Sequence, residues 1–191
     1  MTPETTTWGT WEEPLAQTPP HNKMTLDAHQ LASHWRRCSL SSDFWARYST
    51  LFVPATVPAG NLPRTAVEGV LSYLFNELFE NCAKFSRGPL KSVQYQSWVQ
   101  AERIVIQMRN HICPEDQAPF LAVIQELIEG DPDELYFQKL EESFETDSSG
   151  SGLGYLSLIK DYGIQFGFRF EPITAESVAV DVQAHLSLKE N

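Results

Sequence analysis

Residues 67–82, VEGVLSYLFNELFENC, carry the strongest structural signal in the chain. Apolar residues recur there at steps of three and four, the spacing that places side chains on one face of an α-helix. The members of this stripe are Val67, Val70, Leu71, Leu74, Phe75, Leu78, Phe79 and Cys82. We therefore predict a long helix with one broad apolar face, which ends at Arg87-Gly88-Pro89.

Three polar side chains of this helix, Glu77, Asn81 and Lys84, border the apolar stripe instead of opposing it. At about 100° per residue they fall within roughly 60° of one another. A carboxylate can accept a proton from an attacking hydroxyl group, a neutral amide oxygen can complete a magnesium shell, and a lysine can contact phosphate. An ordinary amphipathic helix can carry the same three residues at its polar edge, so the trio alone leaves both interpretations open.

The strands are indicated by alternation of apolar and polar side chains. Residues 93–98 and 104–109 alternate in this way and are joined by the short polar turn 100–103, which is typical of a hairpin. Two further strands, at 164–170 and 178–188, are expected to close the chain.

Further helices are indicated by their starts. Ser41 or Ser42 is expected to cap a helix upstream of the long one, Pro114 to begin another, and Asp131 to cap the next. The last helix is expected from Leu153 to Tyr162. Helices and strands in this order predict an α+β fold, in which helices pack on one sheet.

Composition bounds the class of protein. The chain has 191 residues, is 42% hydrophobic and carries a net charge of −11, so it can bury a core and is not disordered throughout. No run of about 18 apolar residues occurs, which excludes a membrane span, and the start lacks the features of a signal peptide. Scattered Cys38, Cys82 and Cys113 exclude a disulfide framework and favour a cytoplasmic location. The negative charge disfavours a nucleic-acid partner.

The chain divides into a tail and one domain. Residues 1–24 are rich in Thr, Pro and Glu, and we predict a disordered tail there. For Trp8 and Trp11 within it, docking on the domain surface is the favoured interpretation, with a partner-binding motif as the alternative. Residues 25–191 are expected to form the folded domain.

A glycine-rich segment, 147–154, DSSGSGLG, leads directly into the last predicted helix. Its glycines, Gly150, Gly152 and Gly154, are spaced by single residues. Glycines let backbone N–H groups approach an anion closely, and a helix start adds its own N–H groups and the positive end of its dipole. Flexible linkers have the same composition, so this segment alone is weak evidence of a phosphate site.

The two segments together resemble the nucleotide-binding boxes of the GHKL superfamily, which comprises gyrase, Hsp90, histidine-kinase and MutL ATPases. Glu77-x-x-x-Asn81-x-x-Lys84 is similar to its N-box, and residues 150–154, GSGLG, are similar to its later glycine box. The chain lacks P-loop and Gly-x-Ser-x-Gly segments, which excludes the Walker-type and hydrolase-elbow alternatives.

More specifically, residues 76–86 and 151–163, with 131–136 between them, are similar to a group of small cyanobacterial ATP-binding regulators. That group in turn resembles the SiaB-type protein kinases and, more distantly, the anti-sigma-factor kinases. The resemblance extends over roughly residues 41–188. It implies a left-handed βαβ Bergerat fold: a two-layer sandwich with a mixed, mostly antiparallel sheet and helices on one face.

The resemblance also implies roles for individual residues. Glu77 would be the general base and Asn81 the ligand of Mg²⁺, while Lys84 would contact phosphate. Backbone groups of Gly152 and Gly154 would hold the β- and γ-phosphates of ATP, and residues of about 111–152 would form a lid. The nucleotide-binding set implied in this way is Asn81, Lys84, Asn110, Gly150, Gly152, Leu153 and Gly154.

One part of the superfamily pattern is missing. Its Asp-x-Gly-x-Gly segment, whose aspartate binds the adenine amino group, is replaced by residues 108–113, MRNHIC. Asn110 could accept the amino hydrogen through its side-chain oxygen, and SiaB-type proteins also place an asparagine near this position.

From the residues and the resemblance we predict a Mg²⁺–ATP-dependent serine/threonine kinase that acts on a small regulatory protein, STAS-like or SiaC-like by analogy. A non-catalytic ATP-binding or partner-sequestering module is the first alternative, supported by the missing aspartate. ATP hydrolysis without a modified protein is the second. Neither a nucleic acid nor a membrane is expected as partner, and a homodimer stays open.

Overall fold

The computed structural model describes residues 4–13, 18–32, 35–54, 60–86, 90–146 and 152–189. The strands are β1 (Thr6–Gly9), β2 (Asn22–Asp27), β3 (Ser92–Val99), β4 (Arg103–Ile112), β5 (Gln165–Thr174) and β6 (Ser177–Ser187). The helices are α1 (Ala28–Ala32), α2 (Trp35–Thr50), α3 (Arg64–Phe85), α4 (Pro114–Glu129), α5 (Pro132–Thr146) and α6 (Leu153–Tyr162).

The strands form one six-stranded sheet in the order β1-β5-β6-β4-β3-β2. Each pairing between neighbouring strands is antiparallel. Along β4, the apolar side chains of Ile104, Ile106 and Met108 are buried and alternate with Gln107 and Arg109. Side chains of a strand point alternately to the two faces of its sheet, so one face is apolar and the other is polar.

The apolar face of the sheet is covered by helices. Phe75 of α3 packs edge to face on Tyr95 of β3, with ring centroids 5.1 Å apart. Phe120 of α4 and Tyr155 of α6 pack on phenylalanines of β5, and the Tyr155 and Phe166 centroids are 4.8 Å apart. These contacts form a two-layer α+β sandwich, as predicted from the order of the elements.

The long helix α3 forms the centre of the helical layer. Its buried residues are Val67, Val70, Leu71, Leu74, Phe75, Leu78, Phe79 and Cys82, which are the eight residues of the predicted stripe. The predicted stop at 87–89 lies outside the described residues.

The downstream helices also begin and end where predicted. Pro114 is the first residue of α4, and the side chain of Asp131 accepts hydrogen bonds from the backbone N–H groups of Asp133 and Glu134 at the start of α5. Gly163 ends α6 in the left-handed conformation, at φ 63°.

Two predictions for the first third of the chain are wrong. The predicted disordered tail, 1–24, contains β1 and the start of β2, because Trp8 packs on the core and both strands pair with neighbours in the sheet. The upstream helix begins at Trp35 instead of being capped at Ser41 or Ser42. The hydroxyl of Ser42 donates within the helix to the carbonyl of Cys38, which explains a serine at a buried helical position.

The polar face of the sheet carries a network of ion pairs. Asp181 of β6 is fully buried and accepts hydrogen bonds from Arg109, Arg169 and Gln107. The chain that follows β1 crosses this face, where Glu12 forms a bidentate ion pair with Arg103. This pair lowers the pKa of Glu12, because its hydrogen bond from Arg103 favours the ionised carboxylate.

Candidate functional site

The edge of α3 beside its apolar stripe holds the first two predicted site residues. Glu77 and Asn81 lie one helical turn apart and are both half-buried, between the apolar stripe and the solvent. The helix places them there because its buried stripe, which includes the neighbouring Leu78 and Cys82, fixes how α3 is rotated against the sheet.

The glycine box meets this edge at the start of α6. A Cβ atom built on Gly154 would lie 1.8 Å from Oε2 of Glu77 and 2.4 Å from its Cδ. Real Cβ atoms do not approach other atoms this closely, so a side chain at position 154 would force the Glu77 side chain to move. Gly152, the N-cap of α6, has a φ of 100° and favours glycine for its backbone conformation. The two predicted boxes therefore converge.

The surroundings of Glu77 disfavour its ionised form. Burial raises the pKa of the Glu77 carboxyl, and repulsion by Glu80 raises it further, while the charge of Lys84 partly offsets the increase. A carboxylate with a raised pKa accepts a proton more readily than an exposed one, which suits a general base.

Tyr155 links the glycine box to Asn81. It directly follows Gly154, is buried, and borders the same cavity as Asn81. Burial raises the pKa of Tyr155, so its hydroxyl stays neutral. Tyr155 was not among the site residues predicted from sequence, although its place immediately after the glycine box is a signal for it.

Asn81 and Gly152 open onto a cavity of about 150 Å³ between α3, α4 and α6. The other residues around it are Phe85, Ile112, Asp116, Pro119, Phe120, Val123 and Tyr155. Sites for drug-sized ligands usually measure about 300–1,000 Å³, so this cavity has room for one ring of a nucleotide and not for all of ATP. Its aromatic and aliphatic walls suit a flat ring.

Asn110 lies at the base of an adjoining small cavity that Asn81 also borders. Its side chain is buried, and its amide nitrogen donates to the Ser86 hydroxyl over 3.1 Å. The role predicted for Asn110, acceptance of the adenine amino hydrogen, requires the side-chain oxygen, and the bond to Ser86 uses only the nitrogen.

Three predicted residues remain: Lys84, Leu153 and Gly150. The Lys84 ammonium group is 3.6 Å from Glu80, its side chain is 56% exposed, and it borders neither cavity. Leu153 is the first residue of α6 and is half-buried. Gly150 lies outside the described residues.

The donor set at this edge fits Mg²⁺ and phosphate in its chemistry. Mg²⁺ prefers oxygen ligands and is usually bound by one or two side chains together with substrate phosphates. The Asn81 amide supplies such an oxygen, and α6 begins close by with first-turn backbone N–H groups that have no partner within the helix. Within the described ranges, no three His, Cys, Asp or Glu residues gather closely enough to hold a metal ion by themselves.

A larger cavity of about 500 Å³ lies on the opposite, polar face of the sheet. Its arginines, Arg109 and Arg169, already bind Asp181, Glu171 and Glu13. Their charges are therefore already compensated by carboxylates of the same face.

Comparison with known proteins supports the fold. No family model matches the chain, and no curated protein matches it. A chain in the crystal structure of the SiaB–SiaC complex from Pseudomonas aeruginosa is similar, with a TM-score of 0.61 at 10% sequence identity. The match covers 91% of this chain and 95% of that chain. At this identity the likeness shows a shared fold, and the GHKL resemblance stays a prediction. Within the described residues, no helix is both long and apolar enough to cross a bilayer.

Proposed function

We propose that this chain is a Mg²⁺–ATP-dependent regulatory kinase, which transfers the γ-phosphoryl group of ATP to a serine or threonine of a small signalling protein. The contact between Glu77 and Gly154 carries the proposal, because it brings a half-buried carboxylate to a helix start that can bind phosphate. Phosphoryl transfer requires mainly positioning and charge stabilisation, which such an arrangement supplies.

In the transfer step, the hydroxyl oxygen of the partner attacks the γ-phosphorus. A new oxygen–phosphorus bond forms, the bond to the β–γ bridging oxygen breaks, and ADP leaves with that electron pair. Glu77 accepts the hydroxyl proton, and its raised pKa favours this acceptance.

The other residues bind and orient the nucleotide. The side-chain oxygen of Asn81 would hold Mg²⁺, which neutralises phosphate charge when bound. Backbone groups of Gly152, Leu153 and Gly154 would hold the phosphates, and Asn110 would accept from the adenine amino group. For Lys84 to contact phosphate it must first leave Glu80, a surface pairing that costs little to break.

The nature of the partner is supported by the structural likeness. The similar chain belongs to a complex of SiaB with SiaC. We infer a small regulatory protein, SiaC-like or STAS-like, as the partner that presents the hydroxyl. The shared fold supports this inference.

A second candidate function is a non-catalytic ATP-binding module that sequesters its partner. The position of Lys84, turned away from the cavity and paired with Glu80, favours this alternative, because a phosphate-transferring site gains from a cation at the phosphates. The absence of the adenine aspartate supports it as well.

Titration with ATP in the presence and absence of Mg²⁺, followed by transfer of labelled γ-phosphate to candidate partners, separates these functions. The kinase proposal expects Mg²⁺-enhanced binding and a labelled partner. Binding without transfer favours the module, release of phosphate without a labelled protein favours simple hydrolysis, and no binding contradicts all three. Glu68→Gln, a change of the same chemistry on the same helix, provides the matched control for changes at Glu77.

A further inference from the structure

Helix α2 has an unusual distribution of large and small residues. Its side against the core carries small side chains, Cys38, Ser42, Ala46 and Ser49, all buried. The large apolar residues lie on the opposite side of the helix and in the turn that follows it. We call this surface the outer face of α2; its residues are Leu40, Phe44, Tyr48, Leu51 and Phe52, each between 38% and 65% exposed. A helix of a monomeric protein normally buries its large apolar residues, so this pattern is inverted.

The outer face of α2 is one continuous patch. The Phe44 and Tyr48 rings stack with centroids 6.0 Å apart, and Tyr48 contacts the Phe52 ring at 5.6 Å. Five of the eleven large apolar residues that are exposed in the described part of the chain belong to it. Single exposed apolar residues are common on monomers, whereas a contiguous aromatic patch marks an interface.

The charges beside this patch indicate which partner it suits. Asp43 and Arg47 lie one turn apart along one edge of the outer face, and both are exposed. When two identical helices cross antiparallel about a two-fold axis near Trp45, each Asp43 faces the Arg47 of the other copy. The patch is therefore complementary to itself in charge, although the whole chain carries −11 and repels its own copies elsewhere.

We propose that the outer face of α2 is a homodimer interface, in which two copies of this chain pack α2 against α2 in antiparallel orientation. From the exposed fractions, the patch offers about 500 Å² per copy, or about 1,000 Å² in total, which is near the lower limit for a specific interface. An interface at this lower limit is expected to be weak and reversible. The proposal is independent of ATP binding.

Sedimentation velocity over a range of micromolar concentrations tests the proposal on the full chain. The expected result is a concentration-dependent shift from monomer to dimer. Phe44→Glu is expected to raise the dissociation constant by at least about 30-fold, because it places a charge at the centre of the patch. Phe137→Glu on α5 is the matched control, since Phe137 is 60% exposed and Phe44 is 57% exposed. A monomer at all concentrations, or equal effects of the two changes, overturns the proposal.

Charge exchange tests the antiparallel arrangement separately. Asp43→Arg alone and Arg47→Asp alone each place like charges opposite one another, and each variant is expected to be monomeric at concentrations where the unmodified chain dimerises. An equimolar mixture of the two variants is expected to form a heterodimer, since every facing pair is again of opposite sign. Loss of the Ser72–Asp43 hydrogen bond cannot produce this recovery. A mixture that stays monomeric contradicts the antiparallel arrangement.

Discussion

The carboxylate of Glu77 occupies the space that a side chain at Gly154 would need, with Oε2 only 1.8 Å from the position of a Cβ atom. This contact joins the middle of α3 to the start of α6. It couples the residue proposed to accept a proton to the backbone proposed to hold phosphate. Changing either residue is therefore expected to affect the other.

Gly154→Ala is expected to displace the Glu77 side chain. Because Cβ would also lie 2.4 Å from Cδ of Glu77, the carboxyl group as a whole must move. We expect a loss of stability of about 1–3 kcal/mol, typical of overpacking, together with a fall in phosphoryl transfer. Chemical denaturation measures the first effect and a γ-phosphate transfer assay measures the second.

Gly69→Ala is the control for this prediction. Gly69 lies in α3, and a Cβ atom added there would meet no atom within 4 Å, so alanine at this position is expected to stabilise the helix by up to about 1 kcal/mol. In a Glu77→Ala background the cost of Gly154→Ala should largely disappear. If Gly154→Ala lowers the free energy of unfolding equally in both backgrounds, the loss of stability does not come from the contact with Glu77.

Glu77→Gln is expected to abolish transfer, spare ATP binding and stabilise the protein at neutral pH. The folded state raises the pKa of Glu77 above its ordinary value of 4.5, so the folded state binds more protons than the unfolded chain just above that pH. Stability of the unmodified protein therefore falls as pH rises from about 4.5 through the folded-state pKa. Glutamine does not ionise, so the stability of the Glu77→Gln variant does not show this fall.

The measurement is the free energy of unfolding of both proteins as a function of pH. The advantage of Glu77→Gln should be smallest at acidic pH and reach a plateau above the folded-state pKa. Glu68→Gln makes the same chemical change on the same helix, so a rise common to both variants would not come from the surroundings of Glu77. A pH-independent difference would show that burial of the Glu77 charge does not affect stability.

The elements that bring the site together were predictable from sequence because each depends on local chemistry. The stripe along α3 determines which residues are buried, so the edge position of Glu77 and Asn81 follows from spacing alone. The glycine-rich segment likewise predicts where α6 begins, because Gly152 is its N-cap. What spacing could not show is the contact of Glu77 with Gly154 or the cavity shared by Tyr155 and Asn81, since both depend on how the two helices pack.

The N-terminal strands were missed for a related reason. Residues 4–13 are mostly polar and contain a β-strand only because β5 offers an open edge and Arg103 and Arg169 bind Glu12 and Glu13. Composition describes a segment in isolation, whereas these partners lie more than ninety residues away in the chain. The direction of the Lys84 side chain likewise depends on Glu80 and not on helical spacing alone.

Asn81→Ala is expected to remove the increase in ATP affinity that Mg²⁺ produces, because the amide oxygen is the proposed metal ligand. Tyr155→Phe is expected to weaken the same increase less than Asn81→Ala does, since it removes a polar group beside the cavity that Asn81 borders and leaves the amide in place. Calorimetric titration with ATP, with and without Mg²⁺, gives both values. Asn76→Ala is the control, because it removes an asparagine side chain from the same helix that borders neither cavity and bonds to Glu80 instead. Its effect on the Mg²⁺ dependence is expected to be small. An unchanged Mg²⁺ dependence in Asn81→Ala contradicts the assignment.

Removal of residues 1–13 is expected to destabilise the domain, in contrast to removal of a disordered tail. The deletion takes away β1, the half-buried Trp8 and the ion pair between Glu12 and Arg103. We expect a loss of about 3 kcal/mol, and it should appear as a lower midpoint in urea.

Removal of residues 1–5 alone is the control for the longer deletion, because it leaves β1 and Glu12 intact and should change the midpoint little. Arg103→Ala in the full chain should reproduce only part of the loss, since β1 and Trp8 remain in place. The ion pair is partly exposed, so its share is expected to be about 1 kcal/mol or less. Equal midpoints for the two deletions would mean that β1 and the segment after it contribute nothing to the fold.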